Sequence, residues 1–198
     1  IKKNNGRIFF LGVGGGAGNS THAVNDFRKI CGIESYSPSD NVSELTARIN
    51  DEGWSSSYKE WLIVSNLSKN DALFIFSVGG GDIKKKISLN LIESIKLAKK
   101  RKSKIIGITG PYGGYTKKNA HHCLVIPISN KKKITAIEAV AKIASLELFR
   151  PCPKKRGEHK AKINPNQNPE RVVKIVTIFP TKNAPQKAVA EVTRCLAS

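Results

Sequence analysis

The chain has 198 residues, of which 34 are Lys or Arg and 15 are Asp or Glu, giving a formal net charge of +19 and a pI near 10.0. With 39% hydrophobic and 25% charged residues the composition is globular rather than disordered, and the length is enough to bury a core. No apolar run approaches the roughly 18–20 residues that cross a bilayer as a helix, so a membrane-embedded helical protein is excluded.

Four apolar runs predict buried parallel strands, at residues 7–11, 72–78, 104–109 and 123–128. Each is short, rich in Ile, Val or Phe, and bounded by Gly, Pro or polar residues. Helical patterns fall between them, at 20–30, 58–67, 90–101 and 134–149. Asn90 and Glu93 have the spacing of a capping box, with Leu91, Ile92, Ile95 and Ala98 forming the apolar face behind them. Strands alternating with helices predict an α/β domain with a largely parallel sheet. The texture changes after Pro151: 151–198 is rich in Pro and Asn, carries 10 basic and 3 acidic side chains, and has too little apolar material for its own core. Two units are therefore expected, 1–150 as the folded domain and 151–198 as a basic extension.

The charge is weighted to Lys, and its clusters at 84–86, 99–102 and 131–133 contain no aromatic residue. A stacking platform for single-stranded nucleic acid interleaves the two, so the clusters read as solvated surface and nucleic acid is not an expected partner. The four cysteines (Cys31, Cys123, Cys152 and Cys195) form no Cys-x-x-Cys pair. They suit a reducing cytoplasm better than a zinc ribbon or a disulfide framework. The chain contains no Met, even at position 1, and no signal peptide is read at its start. A fragment or processed product lacking an N-terminal element is the expectation.

The chemistry gathers in two glycine-rich loops. Gly12-Val13-Gly14-Gly15-Gly16-Ala17-Gly18-Asn19-Ser20 lies between the first strand and its helix, and Ser77-Val78-Gly79-Gly80-Gly81-Asp82 ends the second. Glycines let the backbone approach a ligand, and consecutive N–H groups at a helix start hold phosphate. In an open parallel sheet ligands bind at the carboxyl ends of the strands, so two such loops predict an anion spanning neighbouring strands. Gly14, Gly15, Gly16, Ser77, Gly79, Gly80 and Gly81 are the candidate phosphate-binding residues. The spacing Gly12-x-Gly14-x-x-Ala17 meets a permissive dinucleotide pattern, but Glu34 and Asp40 are poor candidates for its acidic partner, and no nucleotide cofactor is expected. His22 and Asp26, at i and i+4, could hold a divalent metal, set a base beside a sugar, or form an ordinary surface pair. Asn50-Asp51-Glu52-Gly53-Trp54 reads as a polar loop that contacts sugar hydroxyls or makes a turn. Asp71 reads as a turn residue, and His121 and His122 as surface imidazoles.

Residues 12–29, Asn-Asp-Glu-Gly-Trp at 50–54, Phe-Ser-Val-Gly-Gly-Gly-Asp at 76–82 and Ile-Thr-Gly-Pro-Tyr-Gly-Gly-Tyr at 108–115 together resemble the sugar isomerase (SIS) domain. Within it the match is to the phosphoheptose isomerases, D-sedoheptulose 7-phosphate isomerases and their relatives, over roughly residues 6–150. The resemblance implies a three-layer α/β sandwich with a flavodoxin-like parallel sheet, a homotetramer, and a sugar phosphate held by the two loops. It implies interconversion of a ketose and an aldose phosphate through an enediol, with a base and an acid near zinc. Carried over by position, His22, Asp26 and Glu138 are the metal ligands, Asp26 and Glu138 are catalytic, and Asn50, Asp51 and Ser77 contact substrate.

Departures from the family pattern are specific. Asp26 stands for a Glu, Gly16 for a Ser of the first loop, and Val78, Gly79 and Asp82 for hydroxyl residues of the second. No His stands near Ser145-Leu146, where the family has its fourth ligand and acid. Two functions follow: a phosphosugar isomerase of the heptose pathway, or a non-catalytic SIS module that binds a sugar phosphate for regulation or protein interaction.

Overall fold

The computed structural model describes residues 1–127. Five strands form one sheet: β1 (Ile8–Gly12), β2 (Ser35–Tyr36), β3 (Ala72–Ser77), β4 (Lys104–Thr109) and β5 (His122–Val125). Their order is β2-β1-β3-β4-β5 and every pairing is parallel. This is the flavodoxin-like order, in which the chain reverses direction across the sheet between β1 and β3. The four strands expected from apolar runs are present with ends shifted by up to three residues. β2, only two residues long, has no apolar run to announce it.

Helices α1 (Gly15–Asp26), α2 (Val42–Glu52), α3 (Ser57–Val64), α4 (Leu89–Lys100) and α5 (Gly114–Asn119) connect the strands. One π-turn, Phe27–Cys31, extends α1 to Gly32, which ends it in the left-handed conformation. Alternating strand residues feed two cores. On one face Ile8, Phe10, Phe74 and Phe76 pack with Ala23, Val24 and Phe27 of the α1 segment. On the other, Phe9, Leu11, Leu73 and Ile75 pack with Tyr58 and Leu62 of α3 and Leu91 and Ile95 of α4. Phe10 anchors the first core, with ring centroids 4.8 Å from Phe27 and 5.3 Å from Phe74. Burying one such ring contributes about 2–3 kcal/mol. These are the three layers that the resemblance implied, around the parallel sheet that the apolar runs predicted.

Three local readings are corrected. The first helix begins at Gly15, not near residue 20, so the glycine loop lends three glycines to its opening turns. The cap of α4 is Ser88, one residue before the helix; Asn90 is fully buried instead, and Glu93 pairs with Lys96 at 2.6 Å. Asn50, Asp51 and Glu52 are helical, the last turn of α2, which Gly53 (φ 84°) terminates. Among the described residues no helix is long and apolar enough to cross a membrane. The predicted helix at 134–149, with Glu138, and the extension from 151 lie outside the described residues.

Candidate functional site

The loops leaving β1 and β3 meet at the carboxyl ends of those strands, at the point where the strand order reverses. They border a cleft of about 400 Å³ lined by Val13, Gly15, Gly16, Asn19, Phe76, Ser77, Val78, Gly79, Ile87 and Ser88. The volume lies in the range of small-molecule sites.

Two glycines let the first loop close. A Cβ on Gly12 would stand 2.2 Å from the Gly16 carbonyl, and one on Gly16 would stand 2.6 Å from the Phe76 oxygen. Neither position has room for a side chain, and the start of α1 sits directly against β3. The Ser that the family pattern places at Gly16 would not fit here. The N–H groups of Gly16 and Ala17 are used by the Val13 and Gly14 carbonyls at 3.0 and 2.9 Å. Those of Gly14 and Gly15 make no hydrogen bond among the described residues. They are free donors at the positive end of a helix dipole.

The second loop divides its glycines between two tasks. Gly79 lines the cleft, its N–H has no partner among the described residues, and a Cβ there would meet nothing within 4 Å. Gly80 and Gly81, expected at the phosphate, are buried behind it with φ of 68° and 84°. The Gly80 carbonyl accepts from both the N–H and the hydroxyl of Thr116 at 2.8 Å, and the Gly81 carbonyl accepts from the Tyr115 N–H at 2.9 Å. They lock the loop to α5. The 108–115 motif serves the same joint, since a Cβ on Gly114 would lie 2.2 Å from the Gly79 oxygen.

Hydroxyls complete the lining. Ser77 Oγ accepts the Gly80 N–H at 3.1 Å, which leaves its proton for a ligand. Ser88 caps α4 in the left-handed conformation (φ 52°) without a side-chain cap bond. Its place in the cleft was missed in the sequence; a Ser just before an amphipathic run is the signal. Asn19, part of the first loop motif but not among the candidate phosphate-binding residues, also lines the cleft. It lies three and seven residues before His22 and Asp26, so the three share one face of α1. Asp82, which would repel an anion, is turned away: its Oδ1 accepts the Lys85 N–H at 3.1 Å inside a hairpin closed by the Asp82–Ile87 bridge.

His22 Nε2 stands 3.3 Å from Asp26 Oδ2, with His22 61% and Asp26 13% exposed. The pair is thus formed, at the outer end of that α1 face. Among the described residues no three His, Cys, Asp or Glu side chains gather to hold a metal. Two donors do not make a zinc site, and the expected third, Glu138, is outside the described residues. Asn50 and Asp51 are exposed at the end of α2, bonded to each other at 2.7 Å, and do not line the cleft. His121 is structural: its Nδ1 accepts the Ile105 N–H at 3.0 Å. Burial and the Lys104 charge lower its pKa, keeping that nitrogen an acceptor near neutral pH.

No family model matches the chain. A curated relative, the lincomycin biosynthesis protein LmbN of Streptomyces lincolnensis, is 31% identical over 119 residues, which cover 55% of this chain and 42% of that protein. The chain thus spans less than half of that relative's length. A phosphoheptose isomerase from Francisella tularensis superposes with a TM-score of 0.62 at 19% identity, covering 73% of each chain. One from Neisseria gonorrhoeae gives 0.60 at 24% identity, covering 72% of this chain and 76% of that one. A sugar-phosphate isomerase described as putative, from Listeria monocytogenes, gives 0.51 at 20% identity over 73% of this chain and 66% of that one. The chain therefore has the fold of the phosphoheptose isomerases, the family its motifs resemble.

Proposed function

We propose that this protein is a phosphosugar isomerase that interconverts ketose and aldose phosphates, with sedoheptulose 7-phosphate as the substrate. The observation that carries the reading is the cleft at the β1/β3 crossover. There the free N–H groups of Gly15 and Gly79 and the hydroxyls of Ser77 and Ser88 offer donors for one phosphate, with the free N–H of Gly14 adjacent in the chain. Anions are bound in this way at helix starts and glycine turns. The fold it shares with phosphoheptose isomerases supports the same reading.

Anchored by its phosphate, an open-chain sugar would run from the cleft along the Asn19–His22–Asp26 face of α1. Asp26 is the base in this reading. Its carboxylate, kept oriented by His22 and by the Asn25 amide at 3.3 Å, takes the proton from the carbon beside the carbonyl and leaves an enediolate. The remaining hydroxyl proton passes to the former carbonyl oxygen, and Glu138, in its acid form, returns a proton to the neighbouring carbon. Zinc on His22, Asp26 and Glu138, a homotetrameric assembly and a cytoplasmic setting belong to the same proposal. A bound zinc would polarise the carbonyl; the donors among the described residues do not by themselves complete its site.

The second reading is a sugar-phosphate-binding module without turnover. It is favoured by the absence of a His two turns after Glu138 and by Asp26 being one methylene shorter than the family's Glu. Asp26→Asn separates the two. An isomerase loses turnover by about 10²–10⁴-fold while sugar-phosphate affinity holds. A wild-type protein that binds but turns nothing over is the module.

A further inference from the structure

Tyr58 is a buried titratable side chain with no part in the chemistry above, and its hydroxyl reaches the first residue of the glycine loop. It is 1% exposed, and its O–H donates to the Gly12 carbonyl at 2.8 Å. Among the described residues nothing else donates to that carbonyl. The Ile8 N–H bonds Glu34 on the β2 side of β1, and Gly12, four residues on, turns its backbone groups to the same side. β2 ends at Tyr36, opposite Phe9, so among the described residues no strand reaches Gly12 on that side. A buried carbonyl left unpaired is destabilising, and Tyr58 supplies the missing donor. Burial pushes the phenol up to about 12, so it remains a donor throughout the working pH range.

The consequence travels through one planar unit. The chain has no cis peptide among its described residues, and in a trans peptide the C=O and the following N–H point in opposite directions. Holding the Gly12 oxygen on the β2 side aims the Val13 N–H toward β3 and sets the direction in which the chain enters Gly14 and Gly15. Glycines at 14, 15 and 16 would otherwise let that entry wander. Tyr58 also touches the Asn50–Trp54 segment, its ring 5.8 Å from Trp54, so one side chain joins that motif to the first loop.

We propose that Tyr58 is a positioning residue for the anion loop, holding the Gly12 carbonyl so that the loop enters α1 in the direction that leaves the Gly15 amide at the cleft. The inference rests on the phosphate reading of that cleft.

The test titrates inorganic phosphate into the full chain, followed by ³¹P NMR, for wild type, Tyr58→Phe and Leu62→Val. Leu62 packs in the same core as Tyr58 and is fully buried, but makes no bond to the loop. The expected result is a Kd raised about tenfold in Tyr58→Phe, the scale of one lost hydrogen bond, with Leu62→Val within about twofold of wild type. Equal affinities in Tyr58→Phe and wild type would overturn the inference and leave the cleft reading standing. Equal weakening in both variants would overturn it by making the effect one of stability. Absence of phosphate binding in the wild type would remove the cleft reading and the inference together.

Discussion

Asp71 closes the sheet at the end opposite the cleft. Its side chain is 2% exposed and accepts from the Arg7 N–H, the Arg7 guanidinium and the N–H and hydroxyl of Ser68, at 2.8–3.2 Å. Burial alone would raise its pKa, but the donated hydrogen bonds outweigh it and the carboxyl titrates below its ordinary range. A depressed folded-state pKa stabilises the protein above the unfolded value near 3.9, and that contribution is lost as pH falls through the folded value. Urea midpoints measured from about pH 6 to about pH 2.5 should fall steeply for wild type and less steeply for Asp71→Asn. At neutral pH the variant should be less stable by about 3 kcal/mol. A reader of the sequence sees a turn Asp here, because the partner is 64 residues away in the chain. At the other end, Gly79 opens on the cleft with nothing within 4 Å of a built Cβ. Gly79→Ala should fold and bind normally. Gly79→Asp should fold equally well and lose sugar-phosphate affinity by at least about tenfold in calorimetry, through a carboxylate set beside the anion. Unchanged affinity in Gly79→Asp would remove the second loop from the phosphate site.

At the scale of elements, β3 and β4 were legible because a strand buried on both faces must be apolar throughout. The helices that escaped notice escaped for local reasons. α2 has no fully buried residue, and its apolar stripe is short, only Val42, Leu45 and Ile49, with Leu45 packed against the edge of the core. It is also held by an Asn41 cap on the Glu44 N–H at 3.2 Å and by Arg48 bridging Glu44 and Glu52. α5 has six residues, and glycines open it. Those glycines mark a joint between elements rather than a ligand site, which spacing alone could not distinguish. Gly80→Ala tests the joint: the new Cβ would lie 2.0 Å from the Gly113 oxygen at a φ of 68°. The variant should lose at least about 3 kcal/mol, read as a lowered melting temperature. An unchanged melting temperature would mean the two loops are free to separate.

For the molecule as a whole, the parallel sheet and the position of the cleft follow from the order of strands and glycine loops. Both were readable because they depend on periodicity and turn chemistry near in sequence. The division of labour within the loops was not, since it depends on which glycine meets a backbone from another element. Nor was Tyr58, whose role exists only because β2 stops short of Gly12. The same two loops, with the His22–Asp26 face beside them, lead to the claim that this chain isomerises a sugar phosphate. The direct test is proton NMR of sedoheptulose 7-phosphate incubated with the full chain and zinc in D₂O. The account predicts new aldose signals and deuterium at the carbon next to the aldehyde. A substrate spectrum that stays unchanged, or one that broadens without product, would contradict it.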